Sequence, residues 1–192
     1  MGCDIHAIVE RREYVGGEPW GWTNSGDPDI GRNYEIYAAL AGVRNYDEIP
    51  VVAEPRGLPG GFQGKEPQYG WLRWEDRREM PCSVFEAYFE DWVNDAHAAT
   101  WLTLAELKAY DTSVTVYDNR LITSRDEAGK VYSLCRATSG RHEGPVGPRR
   151  IFAWPGEDGE TPWDRLIAYM ENVRAHHDLS DDEVRLVAFF DN

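Results

Sequence analysis

The chain has few cysteines, few basic residues and no long apolar run. Its three cysteines (Cys3, Cys82 and Cys135) show neither the spacing of zinc ligands nor that of a disulfide framework. No apolar run approaches the roughly 18 residues that a membrane helix needs, and no signal-peptide pattern opens the sequence. We therefore expect a soluble, cytoplasmic protein without a membrane partner.

Positive charge is also scarce. The 192 residues carry a formal net charge of -14, which argues against a DNA or RNA polymer as partner, because such binding depends on Lys and Arg neutralising phosphates. Local arginine pairs such as Arg11-Arg12 and Arg149-Arg150 remain, so a small anionic ligand is still compatible with the composition. The sequence contains no dinucleotide fingerprint, phosphate-binding loop, serine-hydrolase elbow or zinc-protease motif.

The two ends of the chain predict the centre of the fold. Residues Cys3 to Tyr14 read as a strand, with Cys3, Ile5 and further odd positions on one face and Asp4, His6 and further even positions on the other. Residues 183–192 are apolar on both faces, which is typical of a fully buried strand. We predict a single α+β domain over residues 1–192, with a mixed sheet, both terminal strands central and helices packed on it. Antiparallel pairing would bring Asp191 beside Asp4 and His6.

Capping signals locate the helices. Asn33 can cap a helix that ends before Gly42, a broad apolar stripe predicts a helix over residues 83–93, and Thr161-Pro162 starts another. Thr103 and Glu106 form a capping box, so we expect His97 and Thr100 to lie in a connection between two helices. A short strand is expected around residues 20–22.

Two longer segments have a distinct composition. Residues 44–72 are rich in proline and glycine, and irregular segments of this length are often functional, so this one is a candidate lid. Residues 113–160 alternate short apolar runs with turn residues, which predicts a strand-rich hairpin insertion.

Two Asp-x-His triplets are the first candidate site. Asp4 and His6 would lie about 7 Å apart on one strand face, and Asp95 and His97 repeat the spacing. If the pairs converge, two carboxylates and two imidazoles could bind a divalent metal, or His6 and His97 could act in acid–base catalysis with Asp4 orienting the ring. A structural carboxylate–histidine pair explains the same pattern.

Two Arg-Asn-Tyr triplets are the second candidate site, and they flank one predicted helix. Such triplets could serve a nucleotide, with the guanidinium on phosphate, the amide on a base edge and the ring stacked on the base. Helix capping by Asn33 is the alternative. The triplets comprise Arg32, Asn33, Tyr34, Arg44, Asn45 and Tyr46.

The blocks MGCDIH, RNYEIYAALAGVRNYDE, EPRGLP, HAATWLTLAEL and VRLVAFFDN resemble a family of small proteins encoded by bacteriophages and prophages. No activity is settled for that family. Small phage proteins of this kind often counter host defences, and some bind or destroy nucleotide immune signals. The resemblance therefore implies an accessory, anti-defence role in the cytoplasm of an infected bacterium. It also implies that the shared blocks, including His97 and Asp191, line one site.

Three hypotheses follow. The first is a hydrolase that acts on a small phosphate-containing nucleotide, either by histidine chemistry or with a divalent metal at Asp4, His6, Asp95 and His97. The second is a non-catalytic sponge that sequesters such a nucleotide. The third is an acidic inhibitor that docks on a basic host protein. The sequence leaves the ligand, the metal occupancy and the oligomeric state open, a homo-oligomer included.

Overall fold

A computed structural model describes residues 3–59, 97–117, 121–125, 131–135, 148–152 and 160–191. The main sheet has four strands in the order β2-β1-β8-β3. Two further strand pairs, β4 with β7 and β5 with β6, form separate two-stranded ladders. The strands are β1 Asp4–Val15, β2 Glu18–Gly26, β3 His97–Thr103, β4 Thr115–Tyr117, β5 Leu121–Arg125, β6 Val131–Cys135, β7 Pro148–Arg150 and β8 Val184–Asp191.

The terminal strands occupy the two central positions of the main sheet, as the sequence predicts. Residues 184–190 of β8 are all buried, as expected of a central strand whose two faces are both covered. The predicted α+β class is confirmed. The sheet is antiparallel throughout rather than mixed. The tight turn through Gly16 and Gly17, both with positive φ, reverses the chain between β1 and β2, as primed hairpin turns do.

Three helices are described: α1 Tyr34–Ala41, α2 Leu104–Ala109 and α3 Pro162–His176, followed by a 3₁₀ turn, Asp181–Glu183. The predicted caps are present. The Asn33 carboxamide accepts hydrogen bonds from the first turn of α1, and Gly42 closes that helix in the left-handed conformation. Capping boxes open α2 at Thr103 and α3 at Thr161. No helix in the described ranges is long and apolar enough to cross a bilayer.

One face of the main sheet carries the largest described core. Ala7 and Val9 of β1 and Leu186 of β8 join helix residues such as Leu40 and Leu166 in one buried cluster. The predicted alternation of β1 is therefore confirmed for its odd positions. The even positions Ile8 and Glu10 are buried too, whereas Asp4 and His6 at the start of the strand are exposed.

His97 and Thr100 lie in strand β3, directly before α2, and not in an irregular connection; the helix predicted before them is outside the described residues. His97 pairs with Phe190 and Thr100 with Ala188, so β3 has one extra residue between these pairs. Ala98 has a φ of 51° at this bulge. The segment is a strand because it pairs with β8, a long-range contact that local propensity does not reveal.

The remaining predictions concern segments that are described in part. Residues 51–59 are attached to the core by hydrogen bonds from Val52 to Ala39 and from Gly57 to Ala99, and Leu58 is buried. The lid over residues 44–72 stays a prediction, since residues 60–72 are outside the described ranges. The predicted helix over residues 83–93 and Asp95 also lie outside them. The two small ladders lie within residues 113–160, and the hairpin insertion over that segment stays a prediction.

Candidate functional site

The start of β1 and the end of β8 form a cluster of ionisable groups. Asp4 and Asp191 are directly opposite each other in the antiparallel pairing. Nε2 of His6 lies 3.0 Å from Oδ2 of Asp191, and the backbone N–H of Asp4 donates to Oδ1 of Asp191 at 3.3 Å. The Asp191 carboxylate therefore uses both oxygens to join the first strand to the last.

His6 is held by its ring face as well as by its edge. The imidazole stacks on Phe189, its cross-strand partner, at 4.8 Å between centroids and 13° between planes. The His6 side chain is 47 % exposed and that of Asp191 is 30 % exposed. The pair thus has a fixed ring orientation and remains open to solvent, which a group that exchanges protons with a ligand requires.

Asp4 binds Arg32 rather than His6. Oδ1 of Asp4 accepts from Nε of Arg32 at 2.8 Å and from Nη2 at 2.5 Å, and more than half of each side chain is exposed. We expected Asp4 to orient His6, but the structure gives that position to Asp191. Asp4 instead binds the guanidinium of Arg32 on the strand face that also carries His6.

Two arginines that flank helix α1, one before it and one after it, lie near the start of β1. Arg32 precedes the helix and reaches Asp4, while Arg44 follows it, donates to the hydroxyl of Tyr46 at 3.1 Å and acts electrostatically on the thiol of Cys3. Arg44 has a φ of 52°, a strained conformation for a long side chain that is consistent with these fixed contacts.

The two asparagines of the Arg-Asn-Tyr triplets have structural roles. Asn33 caps α1 by accepting from the N–H groups of Glu35 and Ile36. Asn45 bonds both the N–H and the carbonyl of Ile49, at 2.7 and 2.8 Å. Their amides are thus committed to the backbone and hold the arginine-bearing loops in place. Tyr34, half-buried, packs edge-on against Tyr37 at 5.5 Å.

His97 lies on the opposite face of the sheet from His6. His6 pairs with Phe189 and His97 pairs with Phe190, and consecutive residues on a strand point to opposite faces. The His97 ring also contacts that of Phe190, at 6.3 Å. The two histidines therefore do not face a common ligand, and within the described residues no three potential metal ligands cluster.

Two pKa shifts define the chemistry of the cluster. The hydrogen bond from His6 is the main reason that the pKa of Asp191 lies below its usual value, with the positive charge of His6 adding to it. Burial raises the pKa of the Cys3 thiol despite the opposing hydrogen bond and charge of Arg44. Because the thiolate is the reactive form, Cys3 is suited to packing rather than to nucleophilic attack.

The sequence did not reveal one ion pair on the same two strands. Nε and Nη2 of Arg185 donate to Oε2 of Glu10 at 2.8 and 2.7 Å, and both residues are buried. The guanidinium also lies 3.9 Å from the ring centroid of Trp22. The sequence did contain a signal for this pair, because Arg185 interrupts the apolar run of β8 and a buried charge requires a partner.

Comparison with known proteins adds no further assignment: no family model, no curated protein and no solved structure matches this chain. The candidate site therefore depends on its own geometry.

Proposed function

We propose that the His6–Asp191 pair and Arg32 act on a small phosphate-containing nucleotide, by hydrolysis. The observation that carries the proposal is an exposed imidazole, hydrogen-bonded at 3.0 Å to the carboxylate of Asp191, at the end of β1 where the exposed guanidinium of Arg32 pairs with Asp4. A carboxylate that orients a histidine is the arrangement used for general acid–base catalysis.

Proton transfer would use Nδ1 of His6. In the neutral ring, the hydrogen bond to Asp191 holds the proton on Nε2, and Nδ1 is left with the lone pair. Nδ1 would take a proton from a water molecule as its oxygen attacks phosphorus, and the phosphorus–oxygen bond to the leaving group would break. The protonated ring, stabilised by Asp191, would then return a proton to the leaving oxygen.

Arg32 supports phosphate binding at this position. Its Nε and Nη2 contact a single oxygen of Asp4, and the side chain is 54 % exposed. A phosphate could accept from the remaining N–H groups, or replace the carboxylate altogether. Arg44 lies at the same end of β1 but against Cys3, on the other face of the strand. In a chain with a net charge of -14, the guanidinium of Arg32 would provide the local attraction for an anion.

The remaining predicted ligand-binding residues take more limited roles in this proposal. Tyr34 adjoins Arg32 and is the candidate ring for base stacking. Tyr46 positions Arg44 through its hydroxyl, and Asn33 and Asn45 hold the loops. An anti-defence role and a phage source remain predictions that depend on the resemblance alone.

Incubation with cyclic dinucleotides and ADP-ribose-derived signals, with and without divalent metal, tests the proposal. The filtrate is chromatographed before and after the protein is denatured by heat. We expect a new product from the wild-type protein and a loss of about 10²- to 10⁴-fold in its rate of formation in His6→Asn and Asp191→Asn. Asp182→Asn, at an exposed position of the 3₁₀ turn, is the control for removing a carboxylate and should keep the full rate.

The same experiment separates the alternatives. A nucleotide that disappears and returns intact on heating would identify a sponge and overturn hydrolysis. Unchanged turnover in His6→Asn would contradict the assigned role of the histidine. If no nucleotide changes, docking on a basic host protein becomes the better hypothesis, and a complex weakened by high salt would support it.

A further inference from the structure

A groove separate from the His6–Asp191 pair lies between the β1–β2 hairpin and the C-terminal half of α3. Its volume is about 640 Å³, within the range of small-molecule sites, which is roughly 300–1,000 Å³. The wall from the hairpin includes Arg11 and Ser25, and the wall from the helix includes Tyr169, Asn172, His176 and His177. Arg11 is five positions beyond His6 on β1, about 17 Å along the strand, so the two sites are distinct.

The groove contains a buried hydroxyl without a partner. The Ser25 Oγ is inaccessible to solvent and, within the described part of the chain, makes no hydrogen bond. The neighbouring carbonyl of Ser25 accepts from the hydroxyl of Tyr169 at 2.8 Å, which fixes the serine against the helix. An unsatisfied buried polar group costs about 1–3 kcal/mol, and a rotation of the Ser25 side chain toward the groove would let a ligand oxygen remove that cost.

Arg11 provides a mostly buried positive charge in the same groove. Its side chain is 19 % exposed, and its Nη1 lies 3.6 Å from Oε1 of Glu13, which is longer than a hydrogen bond. Glu13 also accepts from the hydroxyl of Thr23. The Arg11–Glu13 contact therefore leaves the guanidinium able to take a stronger acceptor.

Two adjacent imidazoles close the helix side of the groove. The rings of His176 and His177 meet edge to face, with centroids 4.7 Å apart. Partial burial, followed by the positive charges of Arg11 and His176, lowers the pKa of His177, and Glu13 opposes that shift. Arg11 and His177 line the same cavity from its two walls. The C-terminal end of a helix alone disfavours an anion, so Arg11 must supply the attraction.

We propose that this groove binds a small phosphate-bearing ligand, with the phosphate between Arg11, Ser25 and the His176–His177 pair. A guanidinium, a hydroxyl and neutral imidazole N–H groups are all donors, and phosphate has several acceptor oxygens that can meet them at once. The amide of Asn172 and the ring of Tyr169 line the remainder of the groove, where they would contact the rest of the ligand.

A titration monitored by NMR tests this site. Inorganic phosphate is the probe, and chloride at equal ionic strength is the reference. We expect saturable shifts of the His176, His177 and Tyr169 signals with phosphate only. Arg11→Gln should weaken binding about tenfold or more, since hydrogen bonds to charged groups are the strong ones. Arg174→Gln is the matched control, since it removes one positive charge from α3 at a residue that pairs with Asp181. It should leave the affinity for phosphate unchanged.

Ser25→Ala separates a binding role from a structural one. Because the hydroxyl makes no hydrogen bond to any described residue, its removal should leave the melting temperature unchanged or raise it, while phosphate binding weakens. His6→Asn should bind phosphate in this groove like the wild type, so this test is independent of the proposed hydrolysis. The absence of saturable shifts in the wild-type protein would overturn the proposal. An equal loss of affinity in Arg11→Gln and Arg174→Gln would overturn it too.

Discussion

Two pairs of a carboxylate and a basic side chain link β1 to β8, and they differ mainly in their exposure to water. Glu10 and Arg185 are directly opposite in the strand pairing, and their side chains are 0 % and 4 % exposed. His6 and Asp191 are diagonal neighbours at the open end of the same strands, with side chains 47 % and 30 % exposed. The same two strands thus carry one pair in the interior and one at the surface.

The difference in exposure assigns different roles to the two pairs. A buried pair cannot be separated without leaving an uncompensated charge, so it fixes the register of the strands. An exposed pair contributes little to stability because water and salt screen it, and it can exchange protons with a ligand. We infer that Glu10–Arg185 maintains the sheet and that His6–Asp191 is available for chemistry.

The largest expected effect is the loss of the buried pair. Arg185→Met removes the guanidinium that binds Glu10 and lies over Trp22, and it should lower the free energy of unfolding by about 3–5 kcal/mol. Urea denaturation measures the change. The double variant Glu10→Gln/Arg185→Met should be more stable than Arg185→Met, because no buried charge is then unpaired. A loss of stability below about 1 kcal/mol in Arg185→Met would contradict the inference that the buried pair maintains the sheet.

For the exposed pair we expect a small change in stability and a large loss of turnover. His6→Asn and Asp191→Asn should each change the free energy of unfolding by less than about 1 kcal/mol, although each loses most of its turnover. Thermal denaturation and the nucleotide assay are run on the same samples. A variant that loses stability and turnover together would show that the pair is mainly structural.

An intermediate effect is expected at the cap of α1. Asn33→Ala removes the acceptor for Glu35 and Ile36 and should cost about 1 kcal/mol of stability. Because Arg32 precedes this cap, nucleotide affinity should fall as well. Thr161→Ala removes the corresponding cap of α3 and is the matched control, with a similar loss of stability and unchanged affinity. Equal affinities in the two variants would argue against a role for Arg32.

The smallest expected effect is a change of stability with pH. The pKa of Asp191 is lower in the folded protein than its ordinary value of 3.8, chiefly through the hydrogen bond from His6. The ionised carboxylate therefore stabilises the fold above about pH 4, and this contribution is lost as the pH falls through the lower, folded-state pKa. Asp191→Asn should show a shallower loss of stability in acid, measured by urea midpoints. An identical acid dependence in both proteins would contradict the shift.

The sequence was a good guide to the elements that have local signals. Alternation in β1, the continuous apolar pattern of β8, and the caps at Asn33 and Thr161 all predicted observed features. The proximity of Asp191 to the start of β1 followed once antiparallel pairing was assumed. These signals are local because capping groups and strand faces are defined by neighbouring residues.

The remaining features depend on the register between distant strands. That His6 bonds Asp191 and that His97 lies on the other face both follow from which residues are opposite each other in β1, β8 and β3. That Asp4 bonds Arg32 depends on where the loop before α1 lies against β1. A shift of one residue would reverse the faces, and no local pattern determines that shift. The Arg11 groove was missed for the same reason, since its two walls are more than 140 residues apart in the chain.

A pair of double-mutant cycles in urea, one for each cross-strand pair, tests the central claim most directly. The cycles combine Glu10→Gln with Arg185→Met, and His6→Asn with Asp191→Asn, and each gives the coupling energy within its pair. We predict a coupling of about 1.5–3 kcal/mol for the buried pair and of less than about 1 kcal/mol for the exposed pair. Equal couplings, or a larger one for His6–Asp191, would show that the exposed pair is a structural clasp and contradict the assignment of chemistry to it.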